Sequence, residues 1–73
     1  MKIQEYYILS GEGSIGSWRA VRATATGIKR ILTRERCGGA RWARAYRKGA
    51  DGAAANDIET GELRALPSSL KSS

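Results

Sequence analysis

One stretch of this chain spaces its large apolar residues for a helix. After Thr24 come Ala25, Ile28, Ile31 and Leu32, an apolar stripe at intervals of three and four. Lys29, Arg30, Thr33 and Arg34 fall on the opposite side. Thr24 suits the N-cap, because its hydroxyl can accept from a free first-turn amide. Gly38 and Gly39 predict the stop, one of them in the left-handed conformation. Gly27 weakens the first turn by up to about 1 kcal/mol relative to Ala. With one helix available, the remaining apolar residues must be buried by strands.

The rest of the chain alternates or is short. Residues 2–9, KIQEYYIL, are dense in aromatic and β-branched side chains and predict a strand, with Ile3, Tyr7 and Leu9 on one face. GEGSIGS (11–17) predicts a loop, and WRAVRA (18–23) a second strand antiparallel to the first. Residues 40–48 alternate strictly. Trp42, Arg44 and Tyr46 share one face, and Arg41, Ala43, Ala45 and Arg47 the other. Asp51-Gly52 is a hairpin signal. AAANDI (53–58) is a weak strand by propensity. Glu59 to Glu62 form a turn with Gly61 at positive φ, and GELRAL is the last strand. The order is β-β-α-β-β-β. The expected fold is α+β, one helix packed on a mostly antiparallel five-stranded sheet. Residues 1–66 are expected as a single compact domain, with a flexible tail over 67–73.

The core must be thin. A 73-residue chain buries only roughly 60% of its unfolded surface. Its aromatic residues are Tyr6, Tyr7, Trp18, Trp42 and Tyr46. That scarcity favours Trp42 and Tyr46 as core residues against the helix. The rival placement leaves them open beside Arg44, where they can stack the bases of single-stranded nucleic acid.

The charge pattern points to a function. The net charge is +6, and its distribution is uneven. Trp18 to Lys48 hold ten basic residues and one acid, Glu35. A block so one-signed repels itself, so a neutralising partner is expected. Nine of the thirteen cations are Arg, which suits bidentate contact with phosphate or carboxylate. The candidate partner-binding residues are Lys29, Arg30, Arg34, Arg36, Arg41, Arg44, Arg47 and Lys48. They are expected to face solvent. A helix face and a strand face with aromatics are both possible surfaces, Arg41 and Arg47 pointing one way and Arg44 the other, and the cations are expected to converge on a shared one.

Catalytic readings are weak by comparison. The chain has no histidine, which removes the commonest general base and most zinc sites. Cys37, the single cysteine, can form no internal disulfide, which favours a reducing compartment. It is expected as a small apolar plug at the helix end. Gly11 to Gly16 match GxGxxG, but a strand follows where dinucleotide binding needs a helix. Asp57, Glu59 and Glu62 are expected to be a solvated turn. No enzyme activity, cofactor or metal is expected. The N-terminal apolar run is too short for a signal peptide, and no run of roughly 20 apolar residues is present to span a membrane. A cytoplasmic protein is expected.

The segment TATGIKRILTRERC, Thr24 to Cys37, resembles part of a group of small phage-encoded anti-CRISPR proteins that inhibit type I surveillance complexes. Thr24, Lys29, Arg30, Ile31, Glu35 and Cys37 carry the likeness, together with the β-β-α-β-β-β order. The likeness ends at Cys37. It implies a five-stranded sheet with one helix. It also implies binding to the backbone subunits of a Cascade-type complex in a bacterial host, occluding the groove where target DNA pairs with the guide. Lys29 and Arg30 carry over as partner-binding residues, and Arg34 by charge alone. The alternative is a small basic phage protein that binds nucleic acid itself. Direct DNA contact and a homodimer paired through a strand edge stay open.

Overall fold

The computed structural model describes residues 2–49 and 53–70. It has five strands and one α-helix in the expected order: β1 (Gln4–Gly11), β2 (Ser17–Ala23), α1 (Ala25–Cys37), β3 (Trp42–Lys48), β4 (Ala54–Asp57) and β5 (Leu63–Ala65). The strands form one sheet in the order β2-β1-β3-β4-β5, and every neighbouring pair is antiparallel. The fold is α+β. The Asp51-Gly52 hairpin signal lies outside the described residues, although β3 and β4 pair as that signal requires.

The helix begins and ends where its residues dictate. The Gly27 N–H donates to Thr24 Oγ1 at 3.0 Å, so the cap satisfies one of the amides that a helix start leaves free. At the other end the Gly38 N–H donates to the Arg34 carbonyl at 2.8 Å. Gly39 takes φ 128°, a conformation that side chains with a Cβ avoid. Gly61 takes φ 76° in the β4–β5 turn, as expected. Asp57 closes that turn, its Oδ1 accepting from the Glu59 N–H at 2.7 Å and the Thr60 N–H at 3.2 Å. The carboxylate is buried, so this acid belongs to the turn's own hydrogen bonding and not to a solvated surface.

Strand parity divides the interior into two clusters. On the helix side Tyr6, Ile8, Ala43 and Ala45 pack with Ile28 and Leu32, and Val21, Ala23, Ile31 and Ile58 sit around them. On the other side Tyr7, Leu9, Tyr46, Ala55 and Leu66 form a second cluster, flanked by Trp18, Trp42 and Leu70. Ile3 has the parity of Tyr7 and Leu9 but lies before the strand and is exposed.

This arrangement corrects two expectations. Trp42 and Tyr46 do not pack against the helix; the small residues Ala43 and Ala45 do. Alanines under a helix let its axis approach the sheet, while Tyr6 and Ile8 of β1 supply the bulk there. Cys37 is exposed and plugs nothing, because the apolar stripe reaches the sheet through Ile28 and Leu32, more than a turn earlier.

Within the stretch expected as a tail, the described residues end in a short ordered element. Ser68–Leu70 form a 3-10 turn. Leu70 rests half-buried against the second cluster, supplying apolar cover that the helix cannot give to that face.

Candidate partner-binding surfaces

The predicted cations do not converge on one surface. Lys29, Arg30 and Arg34 stand exposed on the outward side of α1. Among the described residues none of the three makes an ion pair. Thr26, Lys29, Arg30 and Thr33 border a shallow, open hollow of about 330 Å³. Helical spacing alone produces this group, since 26, 29, 30 and 33 are neighbours on one face.

Arg36 is held within the fold. Its Nη2 donates to the Ala43 carbonyl at 2.8 Å and to Glu59 Oε1 at 2.8 Å, and its Nε reaches the same carbonyl at 3.3 Å. This side chain clamps the end of the helix to β3 and to the β4–β5 turn. Glu35, the one acid of the central segment, is paired with Arg19 of β2. Two cations of the central block, Arg19 and Arg36, are therefore hydrogen-bonded to the chain's own carboxylates, and a third, Arg44, makes a looser ion pair with Glu62.

The β3 cations separate by parity. Arg41 lies just before the strand, and Arg47 near its end has the helix-side parity of Ala43 and Ala45; both are exposed. Arg44 belongs to the opposite, helix-free face, with its side chain 45% exposed and Nη1 4.0 Å from Glu62 Oε2. Lys48 is exposed at the end of the strand on Arg44's parity. The expectation of a single basic surface is thus replaced by two: the outward helix face and the helix-free sheet face.

The helix-free face holds residues that charge counting passed over. Trp18 lies across from Leu9, which in turn pairs with Arg44, so Trp18, Leu9 and Arg44 form one row across three strands. The Trp18 and Tyr46 rings are 5.3 Å apart between centroids and tilted by 45°. Arg64 of β5 lies over the Tyr46 ring at 5.9 Å, within reach of a cation–π contact. Together these groups leave Tyr46 only 1% exposed, so it supports the face and presents no surface of its own. Strand parity could have found this set. Register with β1 places Trp18 on Leu9's side, and two-residue spacing places Arg64 with Leu66.

The GxGxxG segment is accounted for by Trp42. Its Nε1–H donates to the Gly13 carbonyl at 2.6 Å. A Cβ on Gly16 would stand 2.6 Å from the tip of the indole, and one on Gly11 would stand 2.6 Å from the Ile15 carbonyl. Both positions need glycine so that the loop can fold over the tryptophan.

Among the described residues no cluster of His, Cys, Asp and Glu is arranged to hold a metal ion, and no helix is long and apolar enough to cross a membrane. Comparisons with protein-family models, with curated proteins and with solved structures give no match.

Proposed function

We propose that this protein is a non-catalytic inhibitor that docks the outward face of α1 onto a type I CRISPR surveillance complex and keeps target DNA from binding. The supporting observation is the group Lys29, Arg30 and Arg34. These cations are exposed, lie side by side, and have no ion-pair partner among the described residues. Lys29 and Arg30 are also the positions that the resemblance of Thr24 to Cys37 marks for partner binding. The backbone subunits of the complex are the proposed partner, and the bacterial cytoplasm the proposed location.

The test is pull-down against purified type I complexes, with free duplex and single-stranded DNA as controls. Capture of the complex that persists at salt concentrations where free DNA is released supports the proposal. Steeply salt-dependent DNA binding alone supports the second reading, a basic protein that binds nucleic acid without this target. The helix-free face, where arginine and tryptophan stand together, favours giving that reading its own arm. Lys29→Glu with Arg30→Glu is expected to leave folding intact and to weaken capture of the complex at least tenfold, about 1.4 kcal/mol. Unchanged inhibition by this double variant removes the helix face from the proposal.

A further inference from the structure

We infer that the helix-free sheet face carries a binding site for single-stranded nucleic acid, centred on Trp42 between Arg44 and Arg64. This site is on the face opposite α1, and its existence does not depend on the partner of the helix.

The geometry comes from two strands, β3 and β5, and the β1–β2 loop. An open hollow of about 280 Å³ is lined by Gly13, Ser14, Trp42, Arg44 and Arg64. That volume is near the lower end for small-ligand clefts, roughly 300–1,000 Å³, and suits one nucleotide better than a large cofactor. Two of the five lining residues are cations and none is an acid. Glu62 is the nearest carboxylate recorded for Arg44, and at 4.0 Å it is beyond hydrogen-bonding distance. Arg64 makes no ion pair among the described residues and is steadied by the Tyr46 ring beneath it. Both guanidinium groups therefore keep donors for an incoming phosphate.

Trp42 supplies the second half of the recognition. Its one polar atom is already used by the Gly13 carbonyl. The indole is half-buried and held in a fixed orientation by the loop, so what it can offer a ligand is the part of the ring that the loop and the second cluster leave uncovered. A fixed aromatic face flanked by cations matches unpaired bases and their phosphodiester backbone. Duplex DNA fits poorly, because its bases are already stacked on one another. An acidic peptide can satisfy the arginines but leaves the indole without a stacking partner.

Intrinsic tryptophan fluorescence on the full chain tests the assignment. The probes are oligo(dT), an abasic oligonucleotide of the same length, and poly-glutamate of matched charge. Oligo(dT) is expected to quench the fluorescence and to bind at least about fivefold more tightly than the abasic strand. One stacked base is worth roughly 1–3 kcal/mol, or about 5- to 150-fold. Arg44→Ala with Arg64→Ala is expected to flatten the slope of log K against log salt by about 1.4. Two phosphate contacts account for that, at about 0.7 each on a single strand. Lys29→Glu with Arg30→Glu is expected to retain the preference for dT over the abasic strand. Equal binding of dT and abasic strands overturns the inference, as does equal competition by poly-glutamate or an unchanged salt slope in the arginine double variant. The dT and abasic comparison uses the unaltered chain, so it decides the matter even if that variant does not fold.

Discussion

The two faces of the sheet are both buried, but by different means. The helix-side face has a dedicated cover: Ile28 and Leu32 of α1 close over Tyr6, Ile8, Ala43 and Ala45. The other face has no helix. Tyr7, Leu9 and Tyr46 are covered instead by Trp18, Trp42, the chain beyond β5 and the guanidinium of Arg64. A helix delivers several apolar side chains from one rigid element. The opposite face relies on large amphipathic residues that bury their bodies and leave polar ends or ring faces outward. In a 73-residue chain this is economical, because the residues that close the second core are also the ones able to meet a ligand.

Truncation on each face measures that difference, and the largest effect belongs under the helix. Ile28 is 1% exposed, so Ile28→Ala is expected to cost about 2–5 kcal/mol, from lost transfer energy plus the cavity left behind. Urea unfolding followed by circular dichroism reads the loss. Ile31, only half-buried beside the same cluster, should lose about half as much on truncation. Equal losses at 28 and 31 would show that the stripe is turned on the sheet so that both side chains are equally buried.

Leu70→Ala probes the other face and should be milder, about 1 kcal/mol, because only part of this side chain is removed from water. Its second readout is specific to the face. Trp18 and Trp42 flank the same cluster, so their emission should shift to longer wavelength as water gains access, while Ile28→Ala at low denaturant should leave it nearly unchanged. A silent Leu70→Ala, in both stability and emission, would mean that the 3-10 turn contributes nothing to closing the second core.

Most of the fold was legible because its signals are local. The Thr24 cap, the stripe of Ile28 and Leu32, the alternation of residues 42–48 and the positive φ of Gly61 each depend on a few neighbouring residues. Sidedness was not legible. Alternation shows that Trp42 and Tyr46 share a face, but not which face the helix covers. Size suggested that the largest residues belong under the helix, whereas close helix–sheet packing needed the alanines there. One signal did point to two buried faces. Tyr6, Tyr7, Ile8 and Leu9 are apolar at both parities, as a strand between two covers must be. The candidate site was legible as charge but not as surface. Nothing local in the sequence reveals that Arg36 is bound to Ala43 and Glu59, and parity places Arg64 on the face of Arg44 only once the pairing of β3, β4 and β5 is known.

The smallest predicted effect tests how dry the helix-free face is. Tyr7 has its ring in the second cluster and donates its hydroxyl to Glu5 Oε1 at 2.8 Å. Burial pushes its pKa above the ordinary value of 10.0, and the hydrogen bond to Glu5 and the charge of that carboxylate push the same way. All three favour the neutral phenol in the folded state. As pH rises, the unfolded chain therefore releases this proton first, and over that window the folded state binds more protons. Stability must then fall with increasing pH. The contribution is complete below about pH 10 and is lost as pH climbs through the higher folded value. Unfolding midpoints taken from pH 8 to pH 11 should decline for the native sequence and decline less for Tyr7→Phe, which cannot ionise at this position. Glu5→Gln should reduce the difference without abolishing it, since burial is the largest cause. If Glu5→Gln abolished the pH dependence altogether, the carboxylate would be the dominant cause, and water would have to reach the Tyr7 ring despite its 1% exposure.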